Sequence, residues 1–141
     1  MMNVGIANKE LNIPKPKLSS FLALEDLKEM SPNDVLKHFL GEYQAEPSEV
    51  ARFDVLVAYE SVGAYGCDSS SWFLLREKAT GDLFEVAGSH CSCYGFEGQF
   101  EPEATSVKYL KSAKFSMSCG GYDNDEAGNR QAVKQWIAEN L

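Results

Sequence analysis

The sequence predicts an α+β fold in which a small antiparallel sheet of three or four strands carries an N-terminal helical hairpin and a C-terminal helix. Three observations support this class. Helical apolar spacing occupies residues 20–41, alternating apolar residues follow between residues 52 and 87, and helical spacing returns near the C-terminus. No helical pattern separates the first three strands, which disfavours a parallel arrangement. A length of 141 residues suits one domain.

Residues 1–17 are expected to form an extended arm, and residues 18–141 a single α+β domain. Pro14 and Pro16 flank Lys15, and a Pro-x-Pro stretch favours extended or polyproline backbone. We therefore interpret residues 1–17 as lying outside the folded domain.

Two helices forming a hairpin are predicted next. Ser20 is a candidate N-cap for a helix over residues 20–30, whose apolar residues are Leu24, Leu27 and Met30. Ser31 followed by Pro32 is a typical start for a second helix, and Gly41 is a typical stop. Residues 42–50 contain a proline and are interpreted as a connection or a short helical turn.

Strands are predicted over residues 52–62, 71–78 and 83–87, with a further strand over 114–119. The glycine turn at 80–82 predicts that the second and third strands form an antiparallel hairpin. Alternation in the first strand places Phe53, Val55, Val57 and Tyr59 on one face, and Leu56 and Ala58 on the other.

Two helices complete the prediction. A short helix over residues 106–112 has Thr105 as its candidate cap. The C-terminal helix is expected to begin at a cap supplied by Asp123 or Asn124. Its apolar face, at a period of 3.6 residues, comprises Ala132, Val133, Trp136, Ile137 and Leu141.

The charge of the chain restricts its partners. With 21 acidic and 13 basic residues the net charge is −8. Binding to nucleic acid depends on Lys and Arg that neutralise phosphates, so we expect no direct nucleic-acid binding and no binding to an anionic membrane surface. A partner protein with a basic surface is the better electrostatic match.

The expected location is the cytoplasm. The sequence contains no run of 18 apolar residues, so no membrane span is predicted, and residues 1–10 do not resemble a secretory signal. The four cysteines are then expected to be reduced rather than paired in disulfides.

Residues 88–103 concentrate unusual side chains in a predicted loop. These 16 residues include two of the four cysteines, one of the two histidines, three glutamates and three aromatic residues. Loops presented by a rigid sheet often carry function, and a loop of this length is uncommon in a compact domain. The loop is therefore the candidate functional region.

Three interpretations of this loop remain open. In the first, it binds a metal, with zinc the candidate cofactor; the candidate ligands are Cys67, His90, Cys91, Cys93 and Cys119. The close C-x-C pair and the absence of a second close pair argue against an ordinary zinc finger. In the second, a cysteine thiolate acts as a nucleophile, although no recognised catalytic motif is present and an enzyme is not favoured.

The third and favoured interpretation is structural. Cys91 and Cys93 would fill the core beneath the loop, and the loop aromatics would cover its edge. The outward face would remain free to bind a partner; its candidate residues are Phe96, Glu97, Phe100, Glu101 and Glu103. A small-ligand-binding protein is a further alternative.

The string GSHCSCYGFEGQFEPE, preceded by the hairpin WFLLREKATGDLFEV, resembles a group of short uncharacterised bacteriophage and prophage proteins. The resemblance covers roughly residues 53–110. It implies an accessory protein made in the bacterial host cytoplasm, and it transfers no catalytic residue. Together with the charge, it predicts an inhibitor that binds a host protein, such as a defence nuclease or a CRISPR-type effector.

Overall fold

The computed structural model describes residues 20–23, 29, 45–62, 69–90, 95–117 and 129–141. Within these residues the chain forms one antiparallel sheet of five strands, whose spatial order follows the order along the sequence. The sheet and the helices packed on it confirm the predicted small α+β fold. The predicted arm at 1–17 and the second predicted helix lie outside the described residues.

The first strand, β1 (Ser20–Ala23), corrects the prediction of a helix starting at residue 20. It pairs antiparallel with the next strand, so that Ser20 lies opposite Glu60. Pairing with a sheet edge satisfies the backbone groups of both strands, a gain that the N-cap candidate at Ser20 does not reveal. The apolar residues that suggested a helix, Leu24, Leu27 and Met30, lie beyond the strand and outside the described residues.

A single helical turn, α1 (Pro47–Val50), precedes the second strand and confirms the interpretation of this segment. Glu46 and Glu49 form a reciprocal capping box, and Pro47 occupies the start of the turn, where no backbone N–H is needed. Val50 is buried against the sheet.

Strand β2 (Phe53–Val62) contains a β-bulge that changes its face pattern. The register moves from Val55 opposite Leu75 to Val57 opposite Leu74, which leaves Leu56 as the extra residue. Val57 and Tyr59 consequently share a face with Leu56 and not with Phe53. The strict alternation predicted for this strand is wrong for that reason.

Strands β3 (Ser69–Glu77) and β4 (Leu83–His90) form the predicted antiparallel hairpin. Gly81 has a φ of 79°, a left-handed conformation that favours glycine in the turn. Strand β4 extends three residues further than predicted and ends at His90. That histidine therefore lies on a strand and not in a loop.

The final elements are β5 (Glu103–Thr105), α2 (Val107–Leu110) and α3 (Asn129–Asn140). Strand β5 pairs with β4, whereas residues 114–117 of the predicted fourth strand are turn and irregular backbone. The alternation in that segment reflects the burial of Phe115 and Met117 rather than strand pairing. Ser106, and not Thr105, caps α2, since its hydroxyl accepts from the Tyr109 N–H. The predicted caps of α3 lie outside the described residues.

Apolar residues cover both faces of the sheet. We call the first the Phe73 face; its buried residues are Val50, Phe53, Ala58, Phe73, Leu75, Val86 and Phe96. We call the second the Trp72 face; its buried residues are Leu56, Val57, Tyr59, Trp72, Leu74, Leu110, Phe115, Met117, Val133 and Ile137. Helix α3 packs on the Trp72 face, as the 3.6-residue period predicts.

Candidate partner-binding groove

Residues 95–103 return the chain from the end of β4 to β5, and the side chain of Gln99 fixes their path. Its Oε1 accepts from the Ser89 N–H at 2.9 Å, and its Nε2 donates to the Ser89 carbonyl at 2.9 Å. The same Nε2 donates to the Gly95 carbonyl at 3.3 Å. A side-chain amide thus takes the place of a neighbouring strand at the edge of β4 and ties the segment to the sheet.

Phe96 anchors the segment on the Phe73 face. It is only 4% exposed, and its ring meets the His90 ring edge to face at a centroid distance of 4.5 Å. This burial makes Phe96 the least accessible of the predicted partner-binding residues, and its role in binding a partner stays a prediction. The burial agrees with the structural interpretation of the loop, in which aromatic residues cover the core.

The other predicted partner-binding residues are more accessible. Phe100 is half-buried against the Phe73-face cluster. Glu97, Glu101 and Glu103 are exposed, although Glu97 also accepts from the Gly95 N–H at 2.9 Å. Their role in binding a partner stays a prediction.

A groove of about 840 Å³ opens between β4, β5 and the segment around α2. Among the described residues that line it, three are glutamates, namely Glu85, Glu101 and Glu103, and none is a lysine or arginine. Tyr109 supplies exposed aromatic surface, and Trp72 lies buried in the wall of the groove. We call this feature the acidic groove. Its composition favours a cationic ligand.

Pairing of β4 with β5 concentrates negative charge in the acidic groove. Glu85 lies directly opposite Glu103 in the register, and like charges in such a pair destabilise a sheet. The buried Trp72 indole Nε1–H donates to Glu85 Oε1 at 2.9 Å. This bond fixes the orientation of the Glu85 carboxylate. A cation bound between Glu85 and Glu103 would offset the repulsion of two like charges at opposed positions.

Sequence reasoning identified Glu101 and Glu103 but missed Trp72, Glu85 and Tyr109. Glu85 is one polar residue within the strand predicted over residues 83–87, and nothing in the sequence pairs it with Glu103, since the fourth strand is predicted over residues 114–119. Tyr109 is exposed on α2 and packs edge to face on Phe115 at a centroid distance of 5.7 Å. An aromatic residue within the short helix predicted over residues 106–112 was the available signal.

The metal prediction falls mostly outside the described residues. Cys67, Cys91, Cys93 and Cys119 all lie there, so their arrangement with His90 stays a prediction. Within the part of the chain that the structure describes, no three His, Cys, Asp or Glu side chains are grouped as metal ligands.

A second polar region lies at the start of β3, opposite the last residues of β4. Ser69, Ser70 and Ser71 are buried on β3 rather than solvated, and Ser69 Oγ donates to the buried Glu60 carboxylate at 2.7 Å. This bond compensates part of the cost of burying the glutamate. Because Ser69 donates to the Glu60 carboxylate, the burial of both side chains is explained without invoking a bound ligand.

None of the helices in the described residues combines the length and apolar character needed to cross a bilayer. Comparison of the chain with protein-family models, curated protein sequences and solved structures gives no significant match.

Proposed function

We propose that this protein acts by binding a basic surface of a partner protein in the acidic groove. The observation that carries the proposal is the groove lining: three glutamates without a lysine or arginine among its described residues, in a chain of net charge −8. Charge complementarity of this kind accelerates association and selects partners of opposite charge.

The identity of the partner is a narrower proposal. The resemblance to bacteriophage proteins makes a bacterial host protein the candidate, and a defence nuclease or CRISPR-type effector has the basic nucleic-acid channel that an acidic protein suits. Occupying such a channel would inhibit the host protein without any catalytic step.

A pull-down with matched charge variants tests the proposal. The groove variant combines Glu85→Gln, Glu101→Gln and Glu103→Gln, and the control variant combines Glu29→Gln, Asp82→Asn and Glu139→Gln at exposed positions that do not line the groove. Both variants remove three negative charges. Comparing them therefore separates groove binding from attraction by net charge alone.

We expect wild type and the control variant to retain the same host protein at about 150 mM salt, where the Debye length is about 8 Å. The groove variant should lose it. Equal retention by the groove and control variants would contradict binding in the groove, and capture of no host protein by wild type would contradict the function.

A further inference from the structure

We infer that the acidic groove recognises an arginine side chain of the partner protein in preference to lysine. The inference deepens the proposed function and rests on it. It depends on how Trp72, Glu85, Glu103, Thr105 and Tyr109 are arranged on one side of the β4–β5 pair.

The first step concerns the two opposed carboxylates. Side chains directly opposite each other on antiparallel strands have Cβ atoms about 4.5–5.5 Å apart, so Glu85 and Glu103 lie close to each other. Trp72 engages Oε1 of Glu85 and leaves Oε2 available. A single cation placed between the two carboxylates would interact with both and remove their mutual repulsion.

The second step concerns the shape of that cation. A guanidinium group is planar, carries five N–H donors in a rigid fork and keeps its charge at any physiological pH. The fork can direct separate donors to Glu85 and Glu103, whereas an ammonium group is a compact point charge that is more strongly hydrated. Two carboxylates on neighbouring strands therefore favour arginine.

The third step concerns the remaining surface of the groove. Tyr109 is 38% exposed and offers a ring face on which a guanidinium can stack. The buried hydroxyl oxygen of Thr105, also at the groove, has no hydrogen-bond partner. An unsatisfied buried oxygen is unfavourable, and a guanidinium N–H would satisfy it if the side chains that cover the oxygen moved aside on binding.

Small probes test arginine recognition independently of any macromolecular partner. Nα-acetyl-arginine amide, Nα-acetyl-lysine amide and Nα-acetyl-citrulline amide would be titrated into the ¹⁵N-labelled full chain at low salt. The Trp72 indole N–H signal reports on the groove, and the Trp136 indole N–H signal serves as an internal reference. Citrulline matches arginine in shape but is uncharged.

We expect the arginine probe to shift the Trp72 signal with an affinity at least about fivefold higher than the lysine probe, a difference of about 1 kcal/mol. The citrulline probe should give no saturable shift. Glu85→Gln should weaken the arginine probe by a similar factor and still fold, because the amide oxygen of glutamine can accept from Trp72. Glu139→Gln should leave it unchanged.

Two results would overturn the inference, and in each case the pull-down shows separately whether the proposed function holds. Equal affinity for the arginine and lysine probes would replace arginine recognition with general cation binding. No saturable shift by the arginine probe, together with groove-dependent capture of a host protein, would show that the partner binds by other contacts. If the pull-down also failed, both proposals would be wrong.

Discussion

Replacing Phe96 with alanine tests whether residues 95–103 are anchored by the core. An aromatic side chain of this kind buries at least about 150 Å². At about 25 cal/mol per Å², that area corresponds to about 4 kcal/mol, in line with the cost of about 3–5 kcal/mol for Phe→Ala in cores. Since Phe96 is 4% exposed, nearly all of this value applies.

The measurement is chemical and thermal unfolding of wild type, Phe96→Ala and Phe100→Ala. Phe100 is half-buried, so its variant should lose less than half as much stability. A loss of about 4 kcal/mol corresponds to a decrease in Tm of roughly 8–16 °C for a domain near this size. Unchanged stability of Phe96→Ala with loss of partner binding would refute the structural role and favour Phe96 as a contact residue.

Three further predictions concern individual contacts. Gln99→Glu replaces an amide donor with a carboxylate facing the Ser89 and Gly95 carbonyls, so the free energy of unfolding should fall by about 2 kcal/mol. Part of this loss should be recovered when the pH falls below about 4 and the new side chain is protonated. Trp72→Phe removes the indole donor to Glu85, and a loss of about 1–2 kcal/mol is expected in the same assay, whereas an unchanged Tm would argue against that bond. Hydrogen bonds from Arg52 and Thr80 lower the pKa of Glu77, so its stabilising contribution is present above the pKa of the unfolded chain and is lost as the pH falls through the lower folded pKa. Wild type should therefore lose more stability than Glu77→Gln between about pH 5 and pH 3. Parallel pH profiles of the two proteins would contradict this.

Local patterns predicted the parts of this fold whose determinants are close in sequence. The hairpin of β3 and β4 follows from a glycine turn between two apolar runs, and the buried positions Val133 and Ile137 follow from helical spacing. The short turn α1 follows from Pro47. Each of these features is decided by residues within one element or its adjoining turn.

Features decided by contacts between distant segments were missed. The strand at Ser20–Ala23 depends on the edge of β2, and the bulge at Leu56 depends on pairing with β3. The acidic groove requires Glu85 and Glu103 to be opposite each other, and that register appears only when β5 pairs with β4. Sequence spacing alone does not specify such pairings.

Phe96 illustrates why a site is harder to predict than a fold. An aromatic residue between glycines and glutamates suits an exposed recognition surface as well as an anchor, and composition does not distinguish the two. The distinction comes from the apolar surface of the Phe73 face that lies beneath Phe96, which β2, β3 and β4 create together.

Carbodiimide footprinting of carboxylates tests partner binding in the acidic groove most directly. The labelling of each glutamate would be measured by mass spectrometry for the free protein and for the protein bound to its captured partner. We predict that the partner strongly reduces labelling at Glu101 and Glu103 while Glu139 labels as before. Undiminished labelling of the groove glutamates in the bound state, or protection centred on Glu139, would contradict the account.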